Sequence, residues 1–231
     1  MPVFLDGCVF PLLPGVQIPL QLTRSQLGIA DDTPVLGVFA AAARISSRCL
    51  TIWKALGDRV PNAVFFVCPM DSADREPIKR LLLAGGIEAP RILTLPTSYA
   101  RPRDISLSGL VDLILDTMPA SDYFSARAAI LESIPLVSIS GRMFEERIAL
   151  SLLSCLGDTS TVADSGRDYV DIAAAMATDP QARAARSDHL RALLHKSNMA
   201  DMANYVLRLE EALFHAAAAS ASTPGTTGLA S

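Results

Sequence analysis

Short apolar segments alternate with longer segments of mixed polarity along most of this chain. Each apolar segment is four to six residues long, is hydrophobic on both faces and often ends at Pro or Gly. This pattern is typical of parallel strands that helices cover on both sides. It predicts strands at residues 35–39, 63–68, 91–95, 111–116 and 136–140, with a shorter run at residues 160–163 as a sixth.

The intervening segments have the periodicity of helices. In the first of them, Leu50, Trp53 and Leu56 fall on one face, and Ser46 or Ser47 can cap the start. Strands that alternate with helices imply right-handed βαβ units. The predicted fold class is therefore α/β, an open, doubly wound, Rossmann-like parallel sheet followed by C-terminal helices. The predicted helices cover residues 46–60, 73–84, 122–133 and 143–156 and almost all of residues 165–215.

Composition divides the 231 residues into three segments. Residues 1–22 form an irregular, Pro-rich N-terminal segment, and residues 23–215 carry the alternating pattern and are predicted to form one Rossmann-like domain. Residues 216–231, AAAASASTPGTTGLAS, are of low complexity and are predicted to be a disordered tail. Because the apolar start lacks basic residues and is broken by prolines, it predicts neither a signal peptide nor a membrane span, and the protein is taken as cytoplasmic by default.

Charge and motif content exclude several classes of function. The 20 basic and 24 acidic side chains are interspersed, so the basic surface of a nucleic-acid-binding protein is not expected. The four cysteines share no CxxC spacing and the three histidines fall in the C-terminal helices, so no metal site is predicted. The sequence also lacks the GxGxxG, GxxxxGK[ST] and GxSxG motifs of dinucleotide enzymes, P-loop NTPases and α/β-hydrolases.

The fold class predicts where a site would lie. In an open parallel sheet the ligand binds outside the carboxyl ends of the strands, near the point where the strand order reverses. Four loops meet that description, at residues 40–46, 96–103, 118–125 and 141–144.

Six segments, taken in order, resemble one enzyme family. They lie between residues 22 and 214, and the family is the O-linked N-acetylglucosamine transferases, the SPINDLY-like group of GT-B glycosyltransferases. The resemblance implies the Rossmann-like C-terminal half of a GT-B enzyme, a domain that binds the UDP part of a UDP-sugar. The segments are LTRSQLGIADDTPVLGVFAAAARI, SSRCLTIWKALGDRVPNAVFFV, RILTLP, VDLILDTMP, PLVSISGRMFEERIALSLLSCLG and DYVDIAAAMATD.

The resemblance also implies the positions of nucleotide-binding residues. Arg44 stands where the family usually has a Lys that meets the diphosphate, and Arg can bind a phosphate bidentately. Arg101, with Arg103 as a rival, falls near a basic residue that contacts the ribose, and Tyr99 is the candidate for the uracil. The alternative for Arg44 is a solvated residue in the first turn of a helix, and the alternative for Arg101 and Arg103 is a simple surface charge.

The loop after the fourth predicted strand departs from the family pattern. The family has a run ending in two Thr there, whose hydroxyl and N–H groups hold phosphate at a helix start. Here Ser125 alone keeps a hydroxyl in register, and a carboxylate at Asp122 would repel a diphosphate. Tyr123 and Phe124 could stack on a base or simply pack at the helix start.

An acidic residue that takes the ribose hydroxyls in the family is replaced here by Ala128, and Glu132, one turn further on, is a substitute candidate. By the resemblance, the acceptor site and the catalytic residues lie in an N-terminal half-domain outside these 231 residues. The chain is thus expected to be the UDP-sugar-binding half of a glycosyltransferase that modifies protein with N-acetylglucosamine or a related sugar.

That half would need no cofactor beyond its donor substrate, and its partners would be the UDP-sugar and a half-domain or acceptor protein in trans. Whether it is an enzyme on its own stays open at this point. The alternative is a catalytically inactive, glycosyltransferase-like binding or scaffold protein.

Overall fold

Six parallel strands form the central sheet of the protein. The structure is a computed structural model that describes residues 8, 10–12, 18–19, 22–69, 71–95 and 105–221. The strands of the described residues, in chain order, are β1 (Ile18–Pro19), β2 (Val35–Val38), β3 (Val64–Val67), β4 (Ile92–Thr94), β5 (Ile105–Ser106), β6 (Leu113–Leu115), β7 (Leu136–Ile139) and β8 (Val162–Ala163).

The strand order in the sheet is β4-β3-β2-β6-β7-β8, and every neighbouring pair is parallel. Counted within this sheet alone the order is 3-2-1-4-5-6, which is that of a Rossmann fold. The two-residue strands β1 and β5 pair separately, also in parallel. The α/β fold class is confirmed, and β8 confirms the sixth strand expected near residues 160–163.

Helices cover both faces of this sheet. They are α1 (Ser47–Arg59), α2 (Arg75–Ala84), α3 (Tyr123–Glu132), α4 (Ile148–Leu156), α5 (Gly166–Thr178), α6 (Pro180–Lys196) and α7 (Met202–Ala221). Ser46 is the residue that caps α1, since its side chain accepts a hydrogen bond from the Cys49 amide. α4 begins later than expected because residues 144–146 form a short 3-10 turn before it.

The end of the chain differs from its prediction. α7 continues through Ala221, so residues 216–221, which were expected to belong to the disordered tail, are helical. Alanine has the highest helix propensity of all residues, so the AAAA run extends the helix rather than ending it. The rest of that segment, and most of the N-terminal segment, lies outside the described residues.

Strand residues alternate between two apolar cores. One core lies under α1, α2 and α5 and includes Leu36, Trp53 and Tyr169, while the other lies under α3, α4 and α6 and includes Val35 and Ile130. Because successive side chains of a strand point to opposite faces, burial of both sets explains why the strands are apolar throughout. In the described part of the chain, no helix combines the length and the apolar character that crossing a membrane requires.

A hydrogen-bonded pair inside the first core ties two helices to the end of β6. The indole N–H of Trp53 donates to the Tyr169 hydroxyl (3.3 Å), which donates to the Asp116 carbonyl (3.1 Å). Both side chains are fully buried. Buried polar groups require such partners, so this pair fixes α1 and α5 against the carboxyl end of β6.

We expect Tyr169→Phe to lower the free energy of unfolding by about 1–3 kcal/mol, because the Trp53 N–H and the Asp116 carbonyl would be left buried without partners. Urea unfolding followed by tryptophan fluorescence measures the change. Thr51→Ala is the control, since it removes an exposed helix hydroxyl and should change stability by less than about 0.5 kcal/mol. Equal effects of the two substitutions would contradict a structural role for the Tyr169 hydroxyl.

Candidate nucleotide-binding site

The candidate site lies where the strand order reverses, between β2 and β6. These strands are neighbours in the sheet, yet the chain leaves them toward opposite sides. The loop after β2 contains a short 3-10 turn, Ala42–Arg44, and the loop after β6 runs from Asp116 to the start of α3. Their carboxyl-end position is the one in which doubly wound folds bind ligands.

The loop after β6 is organised by the carboxylate of Asp116. Its Oδ1 accepts hydrogen bonds from the amides of Thr117 (2.9 Å) and Asp122 (2.8 Å). Its Oδ2 accepts from the hydroxyls of Ser121 and Ser138, both at 2.6 Å. The side chain has no exposed surface. A buried carboxylate is tolerated only with such partners, so the loop must turn back over the strand end.

Burial and hydrogen bonding act on the Asp116 carboxyl in opposite directions. Burial raises its pKa from an ordinary 3.8 to about 6, and the Asp122 amide, Ser121 and Ser138 limit the rise because they donate to the charged form. The Asp116 carboxyl is therefore ionised at neutral pH, and the four hydrogen-bond donors around it stabilise its charge.

Arg44 reaches this loop from the β2 side. Its Nη1 donates to the carbonyl of Ser121 (3.1 Å), and its Nε lies 3.4 Å from Oδ1 of Asp122. The arginine side chain keeps 39% of its surface exposed, whereas Asp122 keeps 5%. Arg44 is therefore a partly solvated cation at the point where the strand order reverses. Its guanidinium is also paired with the Asp122 carboxylate.

Asp122 is the residue that caps α3. Its Oδ2 accepts from the Ser125 amide (2.8 Å) and from the Ser125 hydroxyl (2.9 Å). Ser125 is fully buried, so its hydroxyl is directed to Asp122 and not to the cleft. The start of α3, which is the electropositive end of the helix, is thus neutralised by a side chain of the protein itself.

Glu132 is not near this edge of the sheet. It lies at the other end of α3, where Oε2 accepts from the amides of Leu107 (2.6 Å) and Ser108 (3.0 Å). A contact with ribose is therefore excluded for Glu132 in this structure, because a ten-residue helix separates it from Asp122. The carboxylate instead holds the chain after β5.

Aromatic rings border the site. Tyr123 lies against Phe124 (5.3 Å between ring centroids) and Phe10 (5.5 Å), and Phe10 also lies against Phe144 (5.7 Å). The Tyr123 hydroxyl donates to the carbonyl of Pro11 (2.6 Å), so Tyr123 anchors the N-terminal segment. Phe124 and Phe144 remain 46% and 62% exposed.

The loop after β7 is joined to the loop after β6. Oε2 of Glu146 accepts from the amides of Arg142 (2.6 Å) and Met143 (3.0 Å), and these bonds lower its pKa. The Ser121 amide donates to the carbonyl of Glu145 (2.9 Å), and the Ala149 amide donates to the Ser121 hydroxyl (3.0 Å). Ser121 therefore connects both loops, a role that its sequence position did not indicate.

Three predicted contacts, Tyr99, Arg101 and Arg103, lie outside the described residues. The described residues place Arg44, Tyr123, Phe124 and Ser125 around one edge of the sheet. Within those ranges, no group of three or more His, Cys, Asp or Glu side chains could hold a metal ion. The contributions of Phe10 and Phe144 were missed because nothing in the sequence pairs positions so far apart.

Asp116→Asn should destabilise the protein by about 2–4 kcal/mol at pH 7.5, because an amide N–H₂ would face donors where the carboxylate accepted hydrogen bonds. Urea unfolding measures the change. Asp58→Asn is a matched control, since Asp58 is an exposed partner of Lys54 and should change stability by less than about 1 kcal/mol.

The pH dependence provides a second test of Asp116. Its pKa of about 6 in the folded state exceeds the ordinary 3.8, so folding takes up a proton between these values. The stabilisation is fully present below the ordinary pKa and is lost as the pH rises through about 6. The stability difference between wild type and Asp116→Asn should therefore increase as the pH is lowered from 7.5 toward 4.5, roughly across this window. A difference that is constant or decreases over this range would contradict the assignment.

Comparison with known proteins matches this chain to one family of glycosyltransferases. The model of glycosyl transferase family 41 matches residues 15–209. The probable UDP-N-acetylglucosamine–peptide N-acetylglucosaminyltransferase SPINDLY of Oryza sativa subsp. japonica is 28% identical over 179 residues, which are 76% of this chain and 19% of that protein. The UDP-N-acetylglucosamine–peptide N-acetylglucosaminyltransferase of Caenorhabditis elegans is 25% identical over 80% of this chain and 16% of its own length.

A solved structure agrees with these matches. A mutant O-GlcNAc transferase of Thermobaculum terrenum superimposes with a TM-score of 0.73 and 25% identity, over 90% of this chain and 39% of that one. The chain thus spans about a fifth of the length of the curated relatives and two fifths of the solved one. Since the family model covers well over half of the residues, the chain belongs to glycosyl transferase family 41.

Proposed function

We propose that this chain is the donor-binding half of a glycosyltransferase that moves N-acetylglucosamine or a related sugar from a UDP-sugar to protein. The observation that carries the proposal is the position of Arg44, a partly exposed cation at the switch point of a family 41 fold. The relatives named above are transferases of N-acetylglucosamine to peptide, which supports the same class of donor and acceptor.

In this function Arg44 meets the diphosphate of the donor. The guanidinium can donate two parallel hydrogen bonds to phosphate oxygens and balances the charge that develops as the sugar–phosphate bond breaks. The loop after β6 supplies rigidity, because the Ser121 carbonyl fixes one nitrogen of Arg44. Phe124, two residues after the Asp122 that pairs with Arg44, is exposed and offers a ring on which the base can stack.

The group that deprotonates the acceptor hydroxyl would come from a second half-domain. Phe124, Met143 and Phe144 are exposed at the carboxyl edge of the sheet by 46%, 58% and 62%. An apolar edge of this kind supports a partner that closes over the site and excludes water. A scaffold protein without activity is the weaker alternative, because the relatives named above are all transferases.

Isothermal titration of the purified chain with UDP tests the donor site. We expect saturable binding, and we expect Arg44→Ala to weaken it about 10- to 100-fold, since a charge-assisted hydrogen bond is worth about 1.5–3 kcal/mol. Arg59→Ala is the matched control, because Arg59 ends α1, about 20 Å of helix away, and pairs with Asp171. Absence of binding at millimolar UDP would overturn the proposal.

Asp122→Ser tests whether the capping carboxylate opposes the ligand. Serine also caps helices well, so α3 should persist while Arg44 is released from its ion pair. We expect UDP to bind about 3- to 30-fold more tightly, since a charge at a helix start is worth up to about 2 kcal/mol. Asp122→Asn, which keeps the shape, should act in the same direction. Weaker binding by both variants in a folded protein would mean that Asp122 positions Arg44 for the ligand.

A further inference from the structure

A small cavity lies beside the described part of the N-terminal segment. Its volume is about 150 Å³, and it lies between the N-terminal segment, the end of α4 and the start of α7. Its walls include two thiols, from Cys8 and Cys155, together with the polar side chains of Asn198, Tyr205 and Arg208. A cavity of this size, with polar groups among otherwise apolar walls, admits several molecules as small as water.

The two thiols lie on the same cavity wall. The Ser151 hydroxyl, one helical turn before Cys155 on α4, lies 3.9 Å from the Cys8 sulfur. Hydrogen bonding with Cys155 holds the pKa of Cys8 below its usual range although burial opposes this, and the Phe10 backbone, Ser151 and the charge of Arg208 contribute less. The same bond raises the pKa of Cys155, because that thiol is the donor.

The other buried thiol with a perturbed pKa behaves in the opposite way. Burial raises the pKa of Cys68 to about 12, so this side chain acts as a small hydrophobic group. A thiolate beside a cation, with a second thiol in contact, is instead the arrangement found at oxidation-sensitive cysteines. Cys8, with the Ser151 hydroxyl at 3.9 Å and Arg208 on the same cavity wall, is taken as the attacking thiol.

The N-terminal segment connects this thiol pair to the edge of the nucleotide site. Phe10, two residues beyond Cys8, contacts the rings of Tyr123 and Phe144, and the Pro11 carbonyl accepts from Tyr123. The Leu12 amide donates to the carbonyl of Met199 (3.3 Å). A covalent bond at Cys8 would therefore restrain the aromatic border of the site.

We propose that Cys8 and Cys155 are a peroxide-sensitive pair whose disulfide locks the N-terminal segment onto α4. The Cys8 thiolate attacks a peroxide oxygen, so that the O–O bond breaks, hydroxide leaves and Cys8 becomes a sulfenic acid. The Cys155 sulfur then attacks the Cys8 sulfur, an S–S bond forms, and the sulfenic oxygen leaves as water with the Cys155 proton. Hydrogen peroxide is reduced by two electrons and the two thiols are oxidised by two. The proposal does not rest on the glycosyltransferase function.

Peptide mapping of the intact chain tests the proposal without any substitution. The reduced protein is treated with hydrogen peroxide at pH 7, blocked with N-ethylmaleimide and digested with trypsin without reductant. Cys8 lies in peptide 1–24 and Cys155 in peptide 148–167, so we expect these two peptides to be cross-linked and to separate after dithiothreitol. Two of the four thiols, Cys49 and Cys68, should remain free to react after unfolding. Disulfides between molecules, or preferential oxidation of Cys68, would overturn the pairing.

Two variants separate the roles of the thiols. In Cys155→Ser the second step is blocked, so dimedone should capture sulfenic acid at Cys8 in a protein that circular dichroism shows to be folded. Cys68→Ser is the matched control and should leave the rate of cross-linking unchanged within about twofold, because a protonated thiol reacts poorly. If dimedone does not label Cys8 in Cys155→Ser and wild type yields no cross-linked peptide, the proposal is wrong.

Discussion

The buried carboxylate of Asp116 is the constraint on which the site depends. An ionised group without exposed surface is stable only if several donors surround it. Those donors come from the chain just beyond β6 and from β7, so the loop must turn back over the strand end. That turn places the Ser121 carbonyl and the Asp122 carboxylate where both meet Arg44. The cation of the site is thus positioned indirectly by a carboxylate that it does not touch.

The same turn limits how strongly the site can attract an anion. Asp122 gives its amide to Asp116 and its carboxylate to both Ser125 and Arg44. The start of α3 would otherwise offer free amides and a positive dipole to a phosphate. Here the Asp122 carboxylate occupies the position at the start of α3 that a bound anion would take. Arg44, whose side chain is 39% exposed, remains accessible to solvent. The sheet edge of a family 41 fold is retained while part of the electrostatic attraction of the candidate site is cancelled by the protein itself.

The sequence reveals local patterns, but it does not reveal which distant residues come into contact. The strands and the cap of α1 could be predicted because burial on two faces and helix capping leave marks within a few residues. Asp116 looked like the last residue of an apolar strand, since its partners Ser121 and Ser138 lie 5 and 22 positions further on. Phe10 and Phe144, like Cys8 and Cys155, are brought together by the fold alone. Ser125 keeps the hydroxyl that the family resemblance requires, yet packing turns it inward.

Noncovalent contacts hold the described part of the N-terminal segment in place, and the proposed disulfide would add a covalent restraint. Its contacts with Tyr123 and Phe144 are ring pairs, each worth about 0.5–1.5 kcal/mol beyond the area that they bury. One hydrogen bond to the Pro11 carbonyl adds about 1 kcal/mol. A disulfide typically contributes about 2–4 kcal/mol, which is similar to the sum of these contacts. Oxidation of Cys8 and Cys155 would therefore add a restraint of similar size close to Phe10 and Pro11, and with it restrain the aromatic border formed by Phe10, Tyr123 and Phe144.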